Sequence, residues 1–377
     1  MKTIGIIAEY NPFHRGHEAQ LRLLRERYGS DCALVIALGG CFTQRGEAAV
    51  FAKYARAEAA VRCGADLVLE VSLPWAVSSA EGFARGGVAV LRGLGSVEAL
   101  AFGSEGGDLG RLRSIAALTG DAGFDPLLRE ALSSGEGYAR ARQKALEALA
   151  GEALPELRQR NDILGVEYLR ALEAQGGGME PLILPRFGEF PPASALRQMP
   201  DFLSALPEAA AEVFRRETAL GRRPEPEKLD AAILARLRSM SEEELRALPG
   251  AAEGLERRLR RAAVEAGTAE ELVKLVTTKR YPAARIRRMV LAALLGIPAG
   301  LEKTLPSYLR VLGLNGRGAA LLRASSPSLP VITKPAGGQG EVFELEARAC
   351  GIYALSFPEP GQRRGDLDRR ATPFVLK

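Results

Sequence analysis

Thr3-Ile4-Gly5-Ile6-Ile7-Ala8 runs directly into Glu9-Tyr10-Asn11-Pro12-Phe13-His14-Arg15-Gly16-His17. The first six residues form a short apolar run of the kind that makes a buried strand. Over residues 18–28, Leu21, Leu24 and Tyr28 share one helical face, with Arg22, Arg25 and Glu26 turned away. The loop between is therefore a strand-to-helix turn. An anion above such a turn meets backbone amides and the positive end of the helix dipole. The turn holds His14 and His17, the only 2 histidines in 377 residues, placed around Gly16. All histidine chemistry is thus confined to one place, and a histidine-rich metal site is excluded.

The same alternation continues outward. Residues 33–38 read as a second strand, followed by a Gly-rich loop and a helix through Ala55, Ala59 and Val61. Residues 66–71 read as a third strand, 79–91 as a helix, 97–102 as a fourth strand and 181–185 as a further apolar run. Strands alternating with helices of this length predict an α/β, Rossmann-like parallel sheet joined by right-handed crossovers. Ligands bind such sheets beyond the carboxyl ends of the strands, near the switch point. Prolines then cluster at Pro185, Pro191, Pro192, Pro200 and Pro207. The expected division is a catalytic domain over residues 1–200 and a mainly helical domain over 201–377, with a Pro/Gly-rich extended tail after Ser325.

The chain carries 51 Lys+Arg against 46 Asp+Glu, a net charge of +5. That average conceals a basic stretch, because residues 251–330 hold 14 Lys+Arg and only 6 Asp+Glu. Localised basic charge is the footprint of nucleic-acid binding. Within it, Thr278-Lys279-Arg280-Tyr281-Pro282 precedes a helix with Ile286, Met289, Val290, Ala293 and Leu294 on one face. Lys279, Arg280, Arg285, Arg287 and Arg288 are the candidate contacts to an RNA backbone. Tyr281 suits either stacking on an unpaired base or burial.

Cys32, Cys41, Cys63 and Cys350 match neither zinc-knuckle nor redox-dithiol spacing and are expected to be free thiols. No protein metal site is expected. There is no uncharged apolar run long enough for a membrane span, and no basic segment leading into a sustained apolar one. A cytoplasmic protein without a membrane partner is expected.

In the histidine turn, two imidazoles can donate hydrogen bonds to phosphate oxygens, and Gly16 lets the backbone approach closely. The alternative is that they only cap a helix. The first reading points to adenylyl transfer driven by positioning and charge stabilisation, with Mg2+ on the leaving pyrophosphate.

Asn11-Pro12-Phe13-His14-Arg15-Gly16-His17 resembles the HxGH signature of the nucleotidyltransferase superfamily. Further segments occur in order: Gln44-Arg45-Gly46-Glu47, Gly64-Ala65-Asp66-Leu67-Val68-Leu69-Glu70, Phe102-Gly103-Ser104-Glu105, Asn161-Asp162-Ile163-Leu164-Gly165 and Tyr308-Leu309-Arg310-Val311-Leu312-Gly313. Together they resemble the tRNA(Met) cytidine acetate ligases of bacteria over nearly the whole chain. That resemblance implies activation of acetate by ATP to acetyl-adenylate. The acetyl group then passes to the wobble cytidine of elongator tRNA(Met), giving N4-acetylcytidine. It implies an ATP site of Ile7, Ala8, Glu9, Tyr10, Asn11, Pro12, Phe13, His14, Arg15, Gly16, His17 and Gln20, joined by Gly103, Asn161 and Arg186. His14 and His17 would be the catalytic pair. Ser194-Ala195-Leu196-Arg197 resembles a weakened form of the superfamily's serine-to-arginine signature, making Ser194 and Arg197 candidate phosphate contacts or an ordinary cap and surface arginine. Arg45 is a candidate for a phosphate or tRNA contact, with Glu47 orienting it. Gln20 stands where the family usually has His, and Cys41 where it usually has Asn. HxGH alone also admits a small-molecule adenylyltransferase, and a non-catalytic RNA-binding protein is the third reading.

Overall fold

The computed structural model of the chain describes residues 2–251, 254–335 and 339–377. Eight strands form one sheet: β1 (Thr3–Ala8), β2 (Ala33–Gly39), β3 (Leu67–Val71), β4 (Ala99–Ser104), β5 (Glu180–Pro185), β6 (Leu309–Leu314), β7 (Val331–Ile332) and β8 (Phe374–Val375). Their order is β5-β4-β1-β2-β3-β6-β7, with β8 on β6. The first five are parallel, and β6 runs antiparallel to β3. The chain winds outward one way from β1 to β3 and the other way to β4 and β5. The switch point therefore lies between β1 and β4.

Both faces of the sheet are buried, which explains the uninterrupted apolar runs. On β2, Ala33, Val35 and Ala37 enter one core cluster, while Leu34, Ile36 and Leu38 enter the other. Helices α1 (Arg15–Tyr28) and α2 (Lys53–Arg62) cover the second face through Leu21, Leu24, Ala55 and Ala59. Helix α3 (Ala80–Gly93) covers the first through Phe83, Val88 and Leu91. It lies so close that a Cβ on Gly87 would stand 2.7 Å from Ile7 Cγ2.

Helix α2 ties down the strand ends. Fully buried Arg56 donates to the carbonyls of Phe51 at 2.9 Å and Gly39 at 3.0 Å, and also to those of Glu9 and Gly40. One guanidinium thus satisfies backbone acceptors where β1 and β2 stop and their loops begin.

After β5 the chain builds a helical unit with its own core. Helices Asp230–Ser239, Leu255–Glu265, Ala269–Val276 and Ala283–Leu295 meet through Leu234, Leu237, Leu259, Leu272, Ile286 and Met289. The polypeptide then returns to the sheet as β6, so the sheet takes strands from both sides of residue 200. The expectation of an extended tail after Ser325 is corrected by a 14-residue helix, Glu341–Ala354. It forms because Val342, Phe343, Leu345, Cys350 and Tyr353 bury one side against the fold. From it Glu346 reaches Lys53 Nζ at 3.0 Å, and Asp368 meets the same nitrogen at 2.8 Å. Glu70 of β3 is the third partner. The four cysteines are free, with Cys41 and Cys350 sulfurs 3.5 Å apart. No helix among the described residues is long and apolar enough to cross a membrane.

Candidate active site

A cavity of about 600 Å³ opens over the carboxyl ends of β1 and β4, at the switch point. Its wall comes from the loops after β1, β2, β4 and β5 and from the start of helix Arg160–Ala174.

The histidine turn is built by capping. Helix α1 begins at Arg15, three residues before the apolar periodicity starts, because His14 is its N-cap. His14 Nδ1 accepts from the Gly16 amide at 3.1 Å, and His17 Nδ1 accepts from the His14 amide at 3.2 Å. This is a capping box made by two imidazoles. Their rings stack with centroids 3.7 Å apart. A Cβ on Gly16 would press on the His14 ring at 3.0 Å, so glycine here makes room for the histidine itself. Below them, the Tyr10 ring lies 4.6 Å from His17, and Phe13 lies 4.8 Å from Tyr10. Tyr10 is the only described non-glycine residue at positive φ, 45°. That strained backbone holds the ring under His17.

Both histidines are neutral. Burial, aided by Arg186, lowers His14 to about 4. Burial and the neighbouring His14 hold His17 well below the ordinary imidazole value. Because each Nδ1 accepts a backbone hydrogen bond, the single ring proton sits on Nε2. The pair is a preorganised set of two N–H donors at a helix start, suited to phosphate oxygens. Capping and ligand binding are therefore not alternatives: the caps fix the tautomer.

Across the cavity, Glu105 gathers two residues implied by the resemblance. Its carboxylate accepts from Asn161 Nδ2 at 3.1 Å, the Asp162 amide at 3.1 Å and Arg186 Nη1 at 3.2 Å. Asp162 reciprocates, accepting from the Glu105 amide at 3.0 Å and the Gly106 amide at 3.1 Å. Each carboxylate thus caps the other's segment. Gly103 faces open space, where a Cβ would meet nothing within 4 Å.

Among the expected residues, Ile7, Ala8, Glu9, Tyr10, Asn11, His14, Gly16, His17, Gln20, Gly103, Asn161 and Arg186 line the cavity, as do Arg45, Ser194 and Arg197. Pro12 and Phe13 do not, because both are buried beneath the turn. Arg15 points outward and donates to the Ala205 carbonyl at 3.3 Å. Arg197 donates to the Asn11 carbonyl at 2.7 Å, so it buttresses the histidine turn as well as facing the cavity. Glu9 accepts from the Gln44 amide at 2.6 Å, and burial raises its carboxyl pKa against the pull of that amide and Arg56. Cys41 is buried against Cys350 and does not line the cavity.

Glu47 does not orient Arg45. It faces the helical unit, 3.5 Å from Arg287, whose other partner is Glu270 at 2.8 Å. Arg288 donates to the Gln44 carbonyl at 3.1 Å. These two arginines dock the helical unit onto the cavity's rim loop. Gly46 makes the docking possible: at φ 75°, its Cβ position would lie 2.5 Å from the Arg288 amide nitrogen. Arg285 donates to the Gly250 carbonyl at 2.9 Å and lies 5.2 Å over the half-buried Tyr281 ring. Lys279 is exposed and Arg280 half-buried. Arg287 and Arg288 are thus engaged within the chain, while Lys279 has no hydrogen bond or ion pair among the described residues.

Sequence reading missed Glu105 as an organiser and Arg158 and Arg160 as cavity-lining cations. Glu105 could have been suspected from the pairing of Ser104-Glu105 with Asn161-Asp162. The two arginines carry no periodic signal. No group of three His, Cys, Asp or Glu side chains among the described residues is arranged to hold a metal. The carboxylates on the cavity wall, Glu9 and Glu105, are already engaged as acceptors. The residues present do not form a magnesium site of their own.

Residues 1–368 match the model of the HIGH Nucleotidyl Transferase family. The tRNA(Met) cytidine acetate ligase of Syntrophomonas wolfei is 34% identical over 99% of both chains. That of Syntrophotalea carbinolica is 36% identical over 95% of both. Among solved structures, Thermotoga maritima TmcAL bound with alpha-thio ATP superposes with a TM-score of 0.92 at 31% identity, covering 100% of both chains. A nucleotidyltransferase sheet, a capped histidine pair at its switch point and full-length similarity agree: the chain belongs to the HIGH nucleotidyl transferases and, among them, to the tRNA(Met) cytidine acetate ligase family.

Proposed function

We propose that this chain is an ATP-dependent ligase that joins acetate to the wobble cytidine of elongator tRNA(Met), forming N4-acetylcytidine. The observation that carries this reading is the neutral, stacked His14–His17 pair, with both rings on the wall of an arginine-rimmed cavity. Magnesium carried by ATP would neutralise charge on the leaving pyrophosphate. An acetate oxygen attacks the α-phosphorus while the bond to the β-phosphate breaks, releasing pyrophosphate. The Nε2–H groups of His14 and His17 and the Arg186 guanidinium stabilise charge growing on the phosphates. Asn161 and Gly103 would hold the nucleoside edge, and Ser194 and Arg197, on the same cavity wall, would meet the phosphates. Cytidine N4 then attacks the acetyl carbon, loses a proton, and AMP departs. No covalent enzyme intermediate is required; positioning carries the rate. Lys279, Arg280 and Arg285 on the helical unit offer charge to the tRNA backbone. A tRNA acceptor fits a cytoplasmic location.

The test is purified protein with ATP and labelled acetate, with total tRNA or without RNA. ATP-dependent label in tRNA is expected. Acetate-independent adenylylation of a metabolite, or no ATP consumption under either condition, would overturn the reading.

A further inference from the structure

Acetyl-adenylate and the acceptor must meet within one cavity. A cytidine whose N4 is to reach an acyl carbon there has to leave its stack and enter, leaving the phosphates on either side at the mouth. That requires cations on the rim that the chain does not already use.

Five arginines line the cavity: Arg45, Arg158, Arg160, Arg186 and Arg197. Arg186 is tied to Glu105 at 3.2 Å, and Arg197 to the Asn11 carbonyl at 2.7 Å. These two stand with the histidine turn and the Glu105 clasp. Arg158 and Arg160 are the two that are both exposed and without a hydrogen bond or ion pair among the described residues, and they sit where Pro155–Arg158 passes into helix Arg160–Ala174; Arg186 is exposed but paired, and Arg45 is half-buried. Arg186, by contrast, is the cation that acts on the His14 ring. Opposing negative charge on the wall is limited to Glu9 and Glu105, both turned to partners of their own. An exposed cationic pair at the mouth of a site whose acceptor is a polyanion is complementary to that acceptor.

We propose that Arg158 and Arg160 grip the backbone phosphates flanking the acceptor cytidine and so hold the single-stranded RNA across the cavity mouth. They form a second tRNA contact, separate from Lys279, Arg280 and Arg285 on the helical unit. The inference rests on the proposed acetyl transfer to tRNA. Two phosphates on a single strand contribute about 1.4 to the slope of log affinity against log salt.

The experiment compares the unaltered protein with the Arg158→Ala/Arg160→Ala double variant. Acetyl transfer is measured against tRNA concentration at several salt concentrations, and acetate-dependent ATP–pyrophosphate exchange is measured without RNA. The expected result is a KM for tRNA raised by about tenfold or more and a salt slope reduced by about 1.4. The KM for ATP in exchange should move less than about twofold, and Arg158→Lys/Arg160→Lys should recover most of the tRNA affinity, because a phosphate accepts a point charge. An equal rise in the KM for ATP would assign the pair to the triphosphate and overturn the proposal. An unchanged tRNA KM and salt slope would overturn it as well. Failure of the unaltered protein to label tRNA at all would instead refute the functional reading beneath it.

Discussion

Two groups of charge stand at the carboxyl edge of the same sheet. Around Lys53, three carboxylates from β3, from helix Glu341–Ala354 and from Asp368 close on one ammonium with no exposure to water. Burial and the neighbouring Glu346 push Glu70 well above the usual carboxylate range, which favours its protonated form. Buried Arg310 adds a further positive charge near Asp368. The sealed group ties three distant segments together. The cavity is the reverse, with open arginines outnumbering carboxylates and two histidines held neutral. Charge that serves the fold finds its counter-charge within the chain; charge that serves a ligand is left waiting for one.

The largest effect should come from breaking the sealed group. Lys53→Met strands buried carboxylates and is expected to cost about 3–5 kcal/mol, read by urea unfolding. Glu70→Gln mimics the protonated state and should cost under about 1 kcal/mol. Equal losses for the two would show that Glu70 is charged.

At the cavity, His14→Ala or His17→Ala should slow acetate-dependent pyrophosphate exchange by about 10²–10³-fold. The accompanying loss of stability should be only about 1 kcal/mol, that of a helix cap. The histidines also impose a pH dependence. Their folded pKa values lie below the ordinary 6.5, His14 at about 4, so the unfolded chain takes up protons first as pH falls. Their contribution is complete above about pH 6.5 and declines as pH falls; for His14 the decline runs down to about pH 4 and reaches up to about 3 kcal/mol. Unfolding midpoints at pH 7 and pH 5 measure it, and His14→Asn should flatten the difference.

The Gly46 contact joins the cavity's rim loop to the helical unit. Gly46→Ala should cost about 1–2 kcal/mol from the left-handed backbone alone. Because it pushes against the Arg288 backbone, it should also slow acetyl transfer to tRNA severalfold. Parallel unfolding and transfer assays test both parts. The smallest effect is expected at Arg287→Ala, which removes half-exposed ion pairs and should change stability by about 0.5 kcal/mol or less.

Much of this was legible in the chain. Alternating apolar runs and helices specified the parallel sheet, and two histidines beside the first strand marked the site. Helix α1 began earlier than its apolar stripe suggested, since the stripe reports packing and the cap reports hydrogen bonding. Arg287 and Arg288 read as RNA contacts because composition counts charge without its partners, and Glu47 and the Gln44 carbonyl lie 240 and 244 residues away along the chain. The tail after Ser325 read as extended because Pro and Gly punctuate it, while burial of Phe343 and Tyr353 made a helix within it.

The sequence by itself determined the sheet, the placement of all histidine chemistry in one turn, and the presence of a basic region. Those depend on local periodicity and residue type, which are written along the chain. Tertiary structure alone decided that the histidines are neutral with Nε2 protonated. It also decided that Glu105 assembles Asn161 and Arg186, and that Arg158 and Arg160 are the cavity's exposed cations without a partner among the described residues. Each of these turns on burial and on partners brought together from distant segments, and neither exists until the chain has folded.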